Sequence, residues 1–102
     1  MIARAFVQTA ELDEAINEVK RNLGSDVVRL NYTLGQDWSG ESAIFFTIIL
    51  SDRATRREQL RKVTSQTENE IVQRLQPLEL WGVLPYFSFR SQSEQAVLQE
   101  NA

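Results

Sequence analysis

The fold of this chain is decided by residues 34–52, Leu34-Gly-Gln-Asp-Trp-Ser-Gly-Glu-Ser-Ala-Ile-Phe-Phe-Thr-Ile-Ile-Leu-Ser-Asp52, in which a polar loop leads into the longest apolar run of the protein. The run 43–50 is rich in β-branched and aromatic residues and is bounded by turn signals, which predicts a strand buried on both faces. Trp38 lies in the loop, where small polar residues are usual. We therefore expect its indole either to fold back onto the core or to bind a partner.

The composition fits one globular domain and excludes several kinds of site. The chain has 102 residues, of which 42% are hydrophobic and 25% charged, and this matches ordinary domains that fold alone. We therefore treat residues 1–102 as a single domain. The sequence contains no cysteine and no histidine, which excludes disulfides, thiolate nucleophiles, Cys/His zinc sites and imidazole bases within the chain.

The charge and the N-terminal residues bear on location and on partners. The apolar run in residues 1–7 is too short for a signal peptide, and no window approaches the roughly 20 apolar residues of a membrane span. We expect a soluble, cytoplasmic protein. The net charge of −3 disfavours broad binding to nucleic acid, although a local basic patch could still serve.

Hydrophobic spacing predicts two helices around a hairpin. Residues 10–23 repeat apolar positions at helical spacing and end at Gly24, and residues 28–34 alternate as a strand with one buried face. The loop 35–42 and the strand 43–50 complete the hairpin. The Asp52 carboxylate is expected to cap a long second helix, which ends before Pro77.

The C-terminal third predicts one more strand and a short helix. Residues 78–85 read as an irregular apolar connector, and residues 86–90 as a short strand. Ser91-Gln-Ser-Glu94 has the spacing of a capping box, which would begin a C-terminal helix.

If residues 2–7 form a strand, the order of elements is β-α-β-β-α-β. That order predicts an α+β, ferredoxin-like sandwich, with a four-stranded antiparallel sheet, two helices on one face and a short C-terminal helix. The main competing prediction is a three-stranded sheet with an N-terminus that is not a strand.

The ferredoxin-like topology predicts that opposite charges gather at opposite ends of the domain. One end would hold the arginines around the start of the second helix and the end of the last strand, and these form a candidate anion-binding cluster of Arg53, Arg56, Arg57 and Arg90. The other end would hold both tryptophans with an acidic rim: Trp38, Trp81, Asp37 and Glu41. Arginines at a helix start oppose the helix dipole, which hints at an external anion, although charged runs are also ordinary solvated surfaces.

The second face of the sheet needs a cover, because residues 43–50 are apolar on both sides. The C-terminal helix, a second copy of the chain or another protein could supply it.

No residue pattern indicates an enzyme, a cofactor or a metal. Asp37, Ser39 and Glu41 alternate as oxygen ligands, but the loop lacks the further ligands of a calcium site. RNA-recognition domains share the predicted fold, yet residues 43–50 lack the glycine and the basic residue that their aromatic motif carries. We therefore predict a protein that is not an enzyme, with no cofactor and no metal; a carboxylate hydrolase is the remote alternative.

Three separated stretches resemble a family of small, uncharacterised bacterial proteins: Asp37-Trp-Ser-Gly-Glu-Ser-Ala-Ile-Phe-Phe, the Leu-Ser-Asp before the arginine-rich helix, and Pro85-Tyr-Phe-Ser-Phe-Arg-Ser-Gln-Ser-Glu-Gln95. Members of that family look like companions of HEPN-type helical proteins, a class that includes toxin-like ribonucleases. The resemblance covers residues 27–95 and implies a binding role. The positions that it points to are Trp38, Phe89, Arg90, Ser91, Gln92 and Glu94.

These observations predict a non-enzymatic, regulatory protein-interaction module. Its partner would be another protein, such as a HEPN-type protein held in an antitoxin-like manner, or a second copy of the chain. The alternative function is a regulator that binds nucleic acid or another anion through the arginine cluster. Ser91 and Glu94 could equally be no more than a helix cap.

Overall fold

The computed structural model of the chain describes residues 2–100. In this part of the chain the protein is an α+β fold of five helices and three strands. The elements in chain order are α1 (Arg4–Val7), α2 (Thr9–Arg21), β1 (Val27–Gln36), β2 (Ser42–Leu50), α3 (Arg57–Leu75), α4 (Pro77–Trp81), β3 (Leu84–Ser91) and α5 (Gln92–Glu100). No helix in the described range is both long and apolar enough to cross a membrane.

The three strands form one mixed sheet in the order β1-β2-β3. β1 and β2 pair antiparallel as the hairpin that the loop 37–41 closes. β2 and β3 pair parallel, with Ala43 opposite Leu84 and Leu50 opposite Ser91. Because parallel neighbours need a crossover, α3 carries the chain back along the sheet between them. β2 is therefore the central strand.

The period-two alternation of β2 divides its side chains between two faces of the sheet. Ile44, Phe46, Ile48 and Leu50 are fully buried beneath α2 and α3. The helices contribute one apolar stripe each, at the spacing that the sequence predicted: Leu12, Ile16 and Val19 from α2, and Val63, Ile71 and Leu75 from α3. On this face Phe46 stacks on Phe87 of β3 at 5.4 Å between ring centroids.

The predicted four-stranded antiparallel, ferredoxin-like sheet is wrong, and the first reason lies in residues 2–7. Most of this segment is the short helix α1, which contacts α2 and α4 and does not belong to the three-stranded sheet. A six-residue apolar run does not distinguish a strand from a buried helix turn. Its two alanines are the side chains small enough to pack there: Ala5 is fully buried, whereas Ile2 and Val7 are exposed.

The second reason is the pairing of the last strand. In the predicted fold, the N-terminal strand would lie between the second strand of the hairpin, residues 43–50, and the last strand. Without that strand, β3 pairs directly with β2, and the connection through α3 makes this pair parallel. The sheet therefore has three strands, the number that the competing prediction gave.

The predicted irregular connector at residues 78–85 also differs from the structure. Pro77 begins the short helix α4, since proline suits the first helical position. Gly82 then ends the helix with a φ of 69°, a left-handed conformation that glycine adopts without steric cost. At this point α1 lies close to the chain, because a Cβ built on Gly82 would be 3.3 Å from the Cβ of Ala3.

We expect Gly82→Ala to lower the free energy of unfolding by about 1–2 kcal/mol, because an L side chain is disfavoured in the left-handed region. The added methyl would also press on Ala3. Urea unfolding followed by circular dichroism measures the change.

Gly24→Ala is the matched control. A Cβ at Gly24 meets no atom within 4 Å, so we expect a change of less than about 0.5 kcal/mol. Equal stabilities for the two variants would contradict the left-handed conformation of Gly82 and its close approach to Ala3.

Candidate protein-binding surface

The loop that joins β1 to β2 is organised around the Asp37 carboxylate. Its Oδ1 accepts hydrogen bonds from the Ser39 N–H at 2.9 Å, the Ser39 hydroxyl at 2.7 Å and the Glu41 N–H at 3.0 Å. The Asp37 N–H donates to the Glu41 carbonyl at 2.9 Å, and the Gly40 N–H donates to the Asp37 carbonyl at 3.0 Å. One aspartate thus closes the turn in the manner typical of this residue type.

A tyrosine from β3 ties this loop to the sheet. The Tyr86 hydroxyl donates to Asp37 Oδ2 at 2.7 Å, across 49 positions in sequence. The hydrogen bonds from the Ser39 hydroxyl and from Tyr86 lower the pKa of Asp37 to about 2. The same bond to Asp37 raises the pKa of the Tyr86 hydroxyl. The ionised carboxylate is therefore the form that holds the loop in place.

Trp38 projects from this fixed loop into solvent. Its side chain is 94% exposed, although the residues on both sides of it are held by the hydrogen bonds of Asp37. Large apolar side chains normally lose solvent contact on folding, since burial of an aromatic ring is worth roughly 1.5–3 kcal/mol. The indole does not plug the end of the core; the loop presents it outward.

The sheet face opposite α2 and α3 continues from the loop as a partly open surface, which we call the open face. Its centre is the stack of Phe45 on Tyr86, at 5.4 Å between ring centroids. Register places hydroxyl and amide side chains around this stack: Asn31, Thr33, Thr47 and Ser88. The open face thus combines an aromatic centre with neutral polar neighbours, a composition typical of recognition surfaces.

The helix α5 covers only the far end of the open face. It contacts β2 and β3, and Gln95 and Ala96 border the same crevice as Ile49, which is 4% exposed. The predicted cover by the C-terminal helix therefore extends to Ile49, whereas Phe45 remains half-buried and Tyr86 exposed.

The segment Ser91–Glu94, which the resemblance marked for partner binding, begins α5. The Ser91 N–H donates to Glu94 Oε1 at 3.1 Å, and the Glu94 N–H donates to the Ser91 hydroxyl at 3.0 Å. This is the predicted capping box. Within this segment Gln92 is exposed at the first position of the helix.

The carboxylate of Asp52 supports the same helix. The predicted role of Asp52 as the cap of α3 is wrong, because that helix begins five residues later, at Arg57. Asp52 instead accepts hydrogen bonds from the Ser93 N–H at 3.1 Å and the Ser93 hydroxyl at 2.7 Å, which lower its pKa. A carboxylate beside the N-terminal turn of α5 also suits the helix dipole. Local spacing gives no sign of this contact, because 41 positions separate the two residues.

The structure separates the two tryptophans by burial, although both belong to segments at the end of the sheet where β2 begins. Trp81 of α4 is 4% exposed. The Arg4 guanidinium lies over its ring at 4.1 Å from the centroid and donates to the Leu80 carbonyl at 3.2 Å. Trp81 thus joins α1 to α4 through packing and a cation–π contact, and of the two indoles only that of Trp38 is exposed to solvent.

Three further site candidates differ in accessibility. Glu41 is exposed in the same loop as Trp38. Phe89 is partly buried and packs against the core, on the face opposite Tyr86. Arg90 is partly buried and donates to the side chain of Gln95 in α5 at 3.2 Å.

The four arginines of the candidate anion-binding cluster are divided between two grooves. Arg53 and Arg56 border one groove together with Asp26 and Glu58, and the Arg53 guanidinium lies 3.6 Å from the Asp26 carboxylate. Arg57 and Arg90 border the other groove, with Glu68 and Glu94. Each groove therefore contains carboxylates as well as arginines.

Sequence reasoning missed the contribution of β3 to this surface. Tyr86 and Phe45 become neighbours only when β3 pairs parallel with β2 in the observed register. No local sequence pattern predicts that register. The alternation in residues 86–90 is the available signal, because it puts Tyr86 and Ser88 on the face opposite Phe87 and Phe89. Comparisons with protein-family models, with curated proteins and with solved structures found no match.

Asp37→Asn should loosen the loop, because an amide accepts fewer hydrogen bonds than a carboxylate and carries no charge. Since the folded-state pKa of Asp37 is lowered to about 2, its contribution to stability is present above about pH 4 and lost as the pH falls through the folded-state value. We therefore expect a lower thermal midpoint for the variant at about pH 6, and a difference from wild type that shrinks between about pH 4 and pH 2. Glu41→Gln is the control.

A difference that does not change with pH would contradict the assigned role of Asp37.

Ser91→Ala should weaken the start of α5 by about 1 kcal/mol, the usual cost of losing a serine cap. The expected result is faster amide exchange at Ala96, with little change at Ile71 in the core. Ser65→Ala, at an exposed position inside α3, is the control. Unchanged exchange at Ala96 would show that the capping box does not hold the helix.

Proposed function

We propose that this chain is a non-enzymatic protein-interaction module that holds a partner protein through Trp38 and the adjoining open face. The observation that carries the proposal is the presentation of Trp38: a fully exposed indole on a loop fixed by Asp37 and Tyr86. An indole that is exposed in this way adds little to the stability of the chain itself. It contributes binding energy when a partner buries it.

The energetics of association support this role. Tryptophan is over-represented among the residues that dominate binding energy, where truncation costs roughly 2–4 kcal/mol. A loop already held by hydrogen bonds loses little conformational entropy on binding, which leaves more of the burial energy for affinity. Phe45 and Tyr86 add a second aromatic contact area beside the loop.

The chemistry of the surface indicates the kind of partner. The indole requires an apolar pocket, and the neutral polar side chains of the open face require hydrogen-bonding groups around it. The carboxylate of Glu41 beside Trp38 favours a partner with basic residues at the rim. The resemblance to bacterial companions of HEPN-type proteins adds one protein class to test as this partner, in an antitoxin-like arrangement.

A nucleic-acid partner is the weaker alternative. Phosphate backbones are bound by clustered basic residues, whereas each groove that holds arginines here also holds carboxylates. The arginine grooves and the Trp38 loop also belong to opposite ends of the sheet. A protein partner therefore accounts for the exposed aromatic residues better than a phosphate chain does.

Paired affinity captures test the proposal. Wild-type protein, Trp38→Ala and Leu78→Ala serve as baits in an extract of cells that naturally produce the chain, and a purified HEPN-type protein from the same cells is tested in parallel. Leu78 is 54% exposed on α4, so its variant removes a similar apolar side chain elsewhere. We expect wild type and Leu78→Ala to retain the same partner and Trp38→Ala to lose it, with affinity roughly 30-fold weaker or more.

Equilibrium unfolding separates binding from folding in the same variants. Because Trp38 makes little contact with the chain, Trp38→Ala should change the free energy of unfolding by less than about 0.5 kcal/mol. A partner that binds wild type and Trp38→Ala equally well would contradict the proposal. So would a large loss of stability in Trp38→Ala.

A further inference from the structure

A second surface of the molecule, away from Trp38, is the outer edge of β3. β3 ends the sheet, and its eight residues pair with β2 without interruption. The other edge strand is less regular, because the register of β1 shifts between Val27 and Arg29. In the described part of the chain, residues 86–90 form no backbone hydrogen bond with the backbone of a residue outside the sheet. Such an edge is a template for another strand.

One face of α3 borders this edge. Arg57, Leu60, Arg61, Thr64 and Glu68 recur at helical spacing and form, with Phe89 of β3, the wall of a groove of about 630 Å³. We call this set the α3 stripe. Leu60 is exposed and gives the stripe an apolar centre between its charged ends.

The charges of the α3 stripe are arranged by sign along the helix. Arg57 and Arg61 lie toward its N-terminal end, and Glu68 lies about 10 Å further along the axis than Arg61. The ion pairs found within the described residues are Arg53–Asp26 and Arg74–Glu70, so neither involves the stripe. One end of the stripe is therefore basic and the other acidic.

We propose that a second copy of this chain docks on this edge, so that the two β3 strands pair antiparallel in one continuous sheet across both copies. A two-fold axis perpendicular to the sheet makes the paired strands antiparallel, and it makes the two α3 helices antiparallel as well. Arg61 of each copy then faces Glu68 of the other. The stripe is complementary to itself in this orientation, whereas a parallel arrangement in register would place Arg61 opposite Arg61 and Glu68 opposite Glu68.

The α3 stripe carries charges of both signs, and this favours a second copy of the chain over other binding partners. An acidic peptide or a nucleic acid would meet the carboxylates of Glu68 and Glu94 as well as the arginines, and like charges across an interface are costly. Leu60 of each copy gains an apolar neighbour at the centre. The edge backbone gains hydrogen bonds that water otherwise provides.

The dimer extends the proposed function without depending on it. Edge-to-edge pairing about a two-fold axis perpendicular to the sheet keeps both open faces on one side, so the assembly would carry two Trp38 loops. A bivalent surface of this kind raises the avidity for a partner that has two matching sites. Trp38→Ala should leave the dimer intact, and the edge variants below should leave monovalent binding through Trp38 intact.

Charge exchange tests the interface. Sedimentation of the purified full chain should show a dimer whose dissociation constant weakens roughly 30-fold or more in Arg61→Glu and in Glu68→Arg, since each substitution places like charges together twice. The double variant R61E/E68R should dimerise again. A mixture of the two single variants should form a mixed dimer. In that dimer, the carboxylate introduced at position 61 of one copy faces the guanidinium introduced at position 68 of the other, and the remaining native residues pair with opposite charge as well.

Lys62→Glu is the control for charge alone, since Lys62 is exposed on the same helix but does not border the groove. It should sediment as wild type does. Amide exchange should slow at residues 86–90 as the protein concentration rises. The proposal would be overturned if the wild-type chain stayed monomeric at all concentrations. It would also be overturned if neither single charge reversal weakened the dimer, or if the double variant stayed monomeric.

Discussion

The parallel pairing of β3 with β2 is the constraint on which the rest of the structure depends. It makes β2 the central strand and assigns its alternate side chains to two faces. One set packs beneath α2 and α3, and the other forms the open face. The same register brings Tyr86 beside Phe45, where its hydroxyl reaches Asp37 and fixes the loop of Trp38. A contact between distant parts of the chain thus organises the candidate site.

Burial, and not residue type, decides what each tryptophan does. Trp81 is covered by the Arg4 guanidinium and joins two short helices that would be unstable alone. Trp38 has the same side chain but sits on a loop whose hydrogen bonds are made by its neighbours. The carboxylates differ in a similar way, because Asp37 and Asp52 each serve a structural segment that lies far away in sequence. Long-range polar contacts therefore position both ends of the open face.

Elements with a strong local pattern could be predicted from the sequence. The hairpin, both long helices and the Ser91–Glu94 cap each depend on residues close together in the chain. The pattern left two alternatives for Trp38, and its exposure excludes the one in which the indole folds back onto the core. Residues 2–7 could not be assigned, because a short apolar run fits a strand and a helix turn equally well. That one segment decided whether β3 would lie beside β2, so an error in local structure became an error in topology.

The parallel pairing of β2 with β3 is tested by contacts between the backbone atoms of the two strands. Nuclear Overhauser effects or couplings through the hydrogen bonds between these strands report the register in solution. We expect contacts between Thr47 and Ser88 and between Ile48 and Phe89. Contacts that instead pair residues 84–91 with residues 2–7 would contradict it.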